Sequence, residues 1–170
     1  MSHIPLLPGQ IPPAITLALN GGGQVSFAAP GWRLFVVYRG AHCPMCRAYL
    51  AQAESFRAHF AAAGIELVLA SADTAEQTTA LMAETGYAGP VAINLAPEHM
   101  AMLGLFITDA GVAGAPRQFA EPAAFAVDGD GRLHAIQISN APYARPDLQA
   151  LLSGLVYDRD NGVAARGAMR

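Results

Sequence analysis

The chain has two cysteines, and they stand together as Cys43-Pro44-Met45-Cys46. On a helix, two intervening residues set the thiols almost one turn apart, close enough for one sulfur to attack the other and close a disulfide. An apolar stretch, Leu34-Phe35-Val36-Val37-Tyr38, precedes the pair and a helix-forming segment follows it, so Cys43 is expected at or near a helix N-cap. Unpaired N–H groups and the helix dipole favour a thiolate there, lowering a thiol from about 8.5 into a range of roughly 3.5 to 7.5. Cys43 is therefore the candidate attacking thiol and Cys46 the candidate resolving thiol. Pro44 suits the first helical position, which needs no backbone donor, and it stiffens the turn between the sulfurs.

Several neighbours can support this chemistry. Arg39 and Arg47 flank the motif, and either cation can stabilise a Cys43 thiolate or receive an acidic substrate. His42 can donate to the thiolate or shuttle a proton. Trp32 is a candidate to line the edge of the site, whereas Tyr38, ending a buried strand, belongs in the core. A tetrahedral zinc site needs four ligands, and a second cysteine pair is lacking, so neither a metal nor a cofactor is expected. His59, His99 and His134 fall on separate elements. Asp128-Gly129-Asp130-Gly131 lacks the further ligands of a calcium loop and reads as a hairpin turn.

The elements that must hold the pair follow from periodicity. Ile15 to Leu19, a triple-glycine turn and Val25 to Phe27 predict an N-terminal β-hairpin at the sheet edge. The unbroken apolar run at 34–38 predicts a strand buried on both faces. From Pro44 to Ala63, Leu50, Ala53, Phe56 and Phe60 recur at helical spacing, and Gly64 stops the helix. A second strand at Ile65 to Ala70, a capped helix from 74 to 85, a third strand at Val91 to Leu95 and a short helix at 97–103 follow. Residues 105–121 read as an irregular loop. A hairpin of 123–127 with 133–138 and a final helix from Pro146 to Tyr157 close the layout, leaving a loose tail from Arg159. This order predicts an α/β thioredoxin-like fold, a central mixed β-sheet flanked by helices, in a single domain over 1–170 with its core at about 14–157.

Composition narrows the function classes. The chain of 170 residues is 53% hydrophobic and 14% charged with a formal net charge of −3, so it suits a folded protein and offers no basic field for nucleic acid or an anionic membrane. Prolines at 5, 8, 12 and 13 interrupt the amino terminus, which predicts a cytoplasmic protein. In that compartment a lone cysteine pair is catalytic more readily than structural.

The segment from Phe35 to Arg47, together with Glu121-Pro122-Ala123-Ala124-Phe125 and Asp128-Gly129-Asp130-Gly131, resembles the peroxiredoxin-like branch of the thioredoxin superfamily, typified by alkyl hydroperoxide reductase and thiol-specific antioxidant (AhpC/TSA) proteins. The resemblance spans most of residues 14–157. It implies that Cys43 attacks a disulfide or peroxide, that Cys46 resolves the product, and that Pro122 is a cis-proline facing the cysteines and holding substrate backbone. It also makes a homodimer plausible. Two family features are displaced. The Pro-x-x-x-Thr/Ser-x-x-Cys pattern has Val36 and Gly40 in its first two places, and the arginine three residues before the late aromatic is Pro122. Arg39 or Arg117 can substitute in space.

With hydroxyl and arginine missing from their places, the sequence favours thiol–disulfide exchange on a protein or small-molecule disulfide. An external thiol donor such as a thioredoxin system or glutathione would reset the pair. The alternative is a peroxiredoxin-type peroxidase that passes Cys43 through sulfenic acid before Cys46 resolves it. A third reading is a thioredoxin-fold binding module or redox sensor.

Overall fold

A run as apolar as 34–37 satisfies its side chains on both faces only inside a sheet covered on both sides. A computed structural model describes residues 5–169, and there this run forms the middle strand of a five-stranded sheet. In chain order the elements are β1 (Thr16–Ala18), β2 (Gln24–Ser26), β3 (Arg33–Val37), α1 (Pro44–Ala62), β4 (Glu66–Ala70), α2 (Ala75–Thr85), β5 (Val91–Ala92), α3 (Pro97–Met102), β6 (Ile107–Thr108), β7 (Phe119–Ala120), β8 (Ala123–Val127), β9 (Leu133–Ile138) and α4 (Leu148–Asp160). The sheet order is β5-β4-β3-β8-β9, with β3, β4 and β5 parallel and β8 and β9 antiparallel. This is the mixed sheet of a thioredoxin fold. The β1–β2 hairpin reaches the β5 edge through a bridge between Leu19 and Ala92.

Alternation along β3 divides the core in two. Leu34 and Val36 point to the face covered by α1, α2 and α4, where Cys46, Leu50, Ala53, Phe60, Leu81 and Leu155 are buried. Phe35 and Val37 point to the other face, under the hairpin, α3 and the 105–120 segment. Phe27 stacks on Phe35 with ring centroids 3.9 Å apart, and Phe125 meets Phe27 edge-on at 6.2 Å. Both faces of the strand that ends at the cysteine motif are thus locked by packing.

The helix ends obey local chemistry. Thr74 and Gln77 form a reciprocal capping box at α2, and Gly86 closes that helix in the left-handed region. At α4 the Asp147 carboxylate accepts from the Ala150 N–H, so the helix begins at Leu148 rather than at the Pro146 that periodicity suggested. It also runs on to Asp160. The tail beyond is tied back rather than loose, because Arg166 makes two hydrogen bonds to the Asp158 carboxylate. The third strand is shorter than 91–95, since Asn94 turns away at φ 55°. Residues 105–121 are not simply irregular: Ile107 and Thr108 pair with Ala120 and Phe119 in a small ribbon. Residues 1–4 and 170 lie outside the described residues.

Replacing Phe35 with Ala removes a fully buried ring stacked on Phe27 and should cost about 3–5 kcal/mol, whereas Thr74→Ala should cost about 1 kcal/mol by loss of the cap. Urea unfolding of the two variants against wild type checks the ordering.

Candidate active site

Cys43 follows the turn that leaves β3, and it is the N-cap residue of α1, with extended backbone at φ −100° and ψ 115°. Pro44 occupies the first turn, as the sequence predicts, and no acidic side chain lies in that turn to compete with a thiolate. Cys43 and Cys46 are only 2% and 0% exposed, and both thiols are free. A charge on so enclosed a sulfur needs fixed donors.

Two guanidinium groups supply them. Arg39 Nη1 donates to Cys43 Sγ at 3.5 Å, and Arg145 Nη2 donates to the same sulfur at 3.4 Å. Arg145 also reaches Cys46, with Nη1 3.3 Å from its Sγ. The Cys43 thiol is held far below the ordinary range, first by the hydrogen bond from Cys46, then by Arg39, the Cys46 N–H and Arg145, all against the opposing pull of burial. Cys46 is pushed strongly upward by the hydrogen bond it shares with Cys43 and by burial, with Arg145 acting the other way. The pair is thus split into one thiolate and one thiol.

A second layer holds the arginines. Arg39 is itself buried, and its Nε stands 3.0 Å from Glu121 Oε2 in a close ion pair. Thr108 Oγ1 donates to Glu121 Oε1 at 2.7 Å. Phe119 contacts both Arg39, whose guanidinium carbon is 4.8 Å from the ring centroid, and His42, whose ring centroid is 4.6 Å away. Arg145 lies over the Tyr49 ring, and Tyr49 Oη donates to the Pro146 carbonyl beside it. Arg145 Nε is buried without a partner among the described residues. A cavity of about 240 Å³ lined by Met45, Ala48, Tyr49, Gln52 and Arg145 opens next to the pair.

Gly40, in the place of the family hydroxyl, is not an interchangeable small residue. Its φ is +138°, and a Cβ there would meet Asp73 Oδ1 at 2.8 Å and His42 Nδ1 at 3.1 Å. Buried Asp73 accepts from the Ala41 N–H at 2.8 Å and so fixes the turn ahead of Cys43. Burial pushes the Asp73 carboxyl up, while burial and the Arg39 charge push His42 down.

The remaining residues singled out in the sequence fall elsewhere. Arg47 pairs with Glu84 on the surface. Arg117 is spent on the Gln77 side chain and the Ala72 carbonyl and does not touch either sulfur. Trp32 precedes β3, at the end opposite the cysteines, against His134, and so does not line the site. Pro122 is not a cis-proline: all peptide bonds among the described residues are trans. Among those residues no group of three His, Cys, Asp or Glu side chains is placed to hold a metal. Sequence reasoning missed Arg145, Glu121 and Asp73 as parts of the site. Arg145 carried one faint signal, a lone cation between Ala144 and Pro146 just ahead of a helix cap.

The sequence matches the AhpC/TSA family over residues 8–136, more than half of the chain. The chain belongs to that family. It is accordingly a peroxiredoxin-like member of the thioredoxin superfamily and a thiol-dependent oxidoreductase. No curated protein matches the sequence. Among solved structures, this AhpC/TSA protein is similar in fold to a cysteine-to-serine mutant of peroxiredoxin 6 from Arenicola marina, at 14% identity and TM-score 0.75, over 91% of this chain and 74% of that one. Enterococcus faecalis AhpC gives 17% identity and TM-score 0.73 over 94% and 97% of the two chains. Reduced Prx3 from Vibrio vulnificus in complex with H2O2 gives 17% and 0.74 over 88% and 99%.

Two expectations follow for this AhpC/TSA site. Gly40→Thr, which restores the family residue type, should destabilise the fold and weaken the thiolate absorbance at 240 nm rather than enhance reactivity. Because the Cys43 thiol is lower folded than unfolded, its contribution to stability is full above the unfolded value of about 8.5 and fades as pH falls toward the folded value. The stability margin of reduced wild type over Cys43→Ser should therefore shrink from pH 9 to pH 5, measured by denaturant melts at each pH.

Proposed function

We propose that this chain is a single-domain thiol peroxidase that reduces hydroperoxides at Cys43 and closes a Cys43–Cys46 disulfide. The observation that carries the reading is the meeting of two guanidinium groups, Arg39 and Arg145, on one buried sulfur. The sequence favoured disulfide exchange because the family hydroxyl and arginine were both absent from their places. The hydroxyl stays absent at Gly40, but Arg39 from the motif itself and Arg145 from a distant segment supply donors to the sulfur, which answers the objection from the missing arginine. Peroxide reduction, the alternative in the sequence, fits better.

Atoms and electrons balance at each step. Cys43 thiolate attacks the terminal oxygen of ROOH, an S–O bond forms as the O–O bond breaks, and RO⁻ leaves and takes a proton from water. The guanidinium donors that held the thiolate face the oxygen on which charge develops. The sulfenic acid then reacts with the Cys46 thiol, forming the S–S bond and releasing water. An external dithiol, of the thioredoxin or glutathione type, restores both thiols by exchange. A reducing compartment such as the cytoplasm suits this cycle; among the described residues no helix is long and apolar enough to cross a membrane. Relatives of the same fold are peroxiredoxins, one of them described with H2O2 bound, and that supports the choice of oxidant and leaves a homodimer as part of the proposal.

Trp32 lies far from the sulfurs, so thiolate absorbance at 240 nm is the better signal. Pre-reduced protein mixed with hydrogen peroxide or cumene hydroperoxide should lose that absorbance far faster than free dithiothreitol is oxidised, and Cys43→Ser should show no such phase. Cys46→Ser should stop at a dimedone-reactive sulfenic acid. A rate no faster than the free dithiol returns the assignment to disulfide exchange.

A further inference from the structure

Each turnover makes two opposite demands on the dithiol. Cys43 must be an anion for the first step and Cys46 for the second, yet while Cys43 is charged, Cys46 is held firmly in its protonated form. Burial makes the second demand hard, since Cys46 is 0% exposed, and the side chain that donates to its sulfur is Arg145.

We propose that Arg145 is a catalytic residue of the resolving step, exchanging its support from the Cys43 thiolate to the Cys46 thiolate once Cys43 has been oxidised. This rests on the proposed function only for the resolving role of Cys46, which peroxidase and exchange readings share. The geometry is that of a bridge: Nη2 is 3.4 Å from Cys43 Sγ and Nη1 is 3.3 Å from Cys46 Sγ. Neither group must move for the transfer, because a planar guanidinium presents both N–H groups at once. Arg39 makes no such contact with Cys46; its hydrogen bond goes to Cys43 and its Nε faces Glu121. The two cations therefore divide the work, Arg39 serving attack alone and Arg145 serving attack and resolution. Tyr49 fixes the bridge from beneath, through its ring against the guanidinium and its hydroxyl on the Pro146 carbonyl.

When Cys43 becomes a sulfenic acid or a mixed disulfide, its negative charge is gone. The repulsion that opposed ionisation of Cys46 is then removed, and Arg145 retains a full positive charge against that sulfur. Cys46 loses its proton to water, attacks the Cys43 sulfur, and expels hydroxide or the substrate thiolate as the S–S bond forms. Hydroxide takes the proton back as water, so no other reactant is consumed.

The test uses 5,5′-dithiobis(2-nitrobenzoate) and no peroxide, so it stands apart from the peroxidase assay. In stopped flow at 412 nm, attack by Cys43 releases the first thionitrobenzoate in a second-order phase, and attack by Cys46 on the mixed disulfide releases the second in a first-order phase. Arg145→Gln should slow the first-order phase by about 10- to 100-fold, the worth of one hydrogen bond to a charged group, and Arg145→Lys should recover part of it. Arg39→Gln should slow the second-order phase while the first-order phase stays near wild type. An Arg145→Gln protein with wild-type unfolding midpoint and an unchanged first-order phase overturns the proposal. A wild type that releases only one equivalent overturns it together with the resolving role of Cys46. In peroxide, Arg145→Gln should also accumulate dimedone-reactive and sulfinic Cys43, and the absence of either from Cys46→Ser in the same assay would count against the peroxidase reading alone.

Discussion

A thiolate enclosed by protein has to have its charge answered by donors that are already in place, because water cannot do it. Around Cys43 those donors come from three separate parts of the chain: Arg39 just after β3, Cys46 in the first turn of α1, and Arg145 in the connection between β9 and α4. Each in turn creates a demand of its own. Arg39 is buried and needs an anion, Glu121 meets it, and Glu121 needs a donor, which Thr108 provides from β6. The small β6–β7 ribbon thus exists, electrostatically, to balance a cation whose purpose is to balance a sulfur. Its Phe119 also lies against Arg39, so the cation is held by a ring face as well as by a carboxylate.

The same requirement explains how this member of the AhpC/TSA family does without the hydroxyl its relatives place three residues before the cysteine. A Thr or Ser at position 40 would have to adopt φ +138° with its Cβ inside contact distance of the Asp73 carboxylate. Asp73 cannot yield the space, because it holds the Ala41 N–H and thereby the shape of the turn. Carboxylate in, hydroxyl out is a consistent exchange: the turn is fixed from beneath by Asp73, and the donor to the sulfur is supplied from above by guanidinium groups. A guanidinium brings more than a hydroxyl does, since it carries a full charge and two donors in one plane.

Legibility in the sequence followed the range of the interactions. The helix face of Leu50, Ala53 and Phe60, the alternation in β3 and the caps at Gly64, Thr74 and Gly86 are local, and their periods or residue types can be read from a few neighbouring letters. Cys43 at a strand-to-helix turn was legible for the same reason. Arg145 was not, because nothing near it in sequence shows that 102 residues separate it from a sulfur it touches. Arg117 misled for the converse reason: it is a cation of the right type on a segment near the site, but Gln77 and the Ala72 carbonyl already occupy it. Pro122 was read from resemblance, and its trans bond shows that a residue type in the right register does not fix the conformation for which the family uses it. The ribbon at β6 and β7 escaped because strands of two residues carry no period.

In the proposed cycle, charge balance at the sulfur also bears on how the protein is recycled. Every interaction that favours the Cys43 thiolate stabilises the reduced protein and is lost when the sulfur enters a disulfide, where it carries no charge. Oxidation therefore leaves Arg39 and Arg145 beside a neutral sulfur, with Glu121 as the anion paired to Arg39. The disulfide is destabilised relative to the dithiol by the same free energy that lowers the thiol, and about 1.4 kcal/mol of it corresponds to about 30 mV in a two-electron couple. A site built to make Cys43 a good nucleophile is consequently built to make its disulfide easy to reduce. Reaction with oxidant and recovery by an ordinary dithiol are then not competing requirements on the fold but two results of one arrangement of cations.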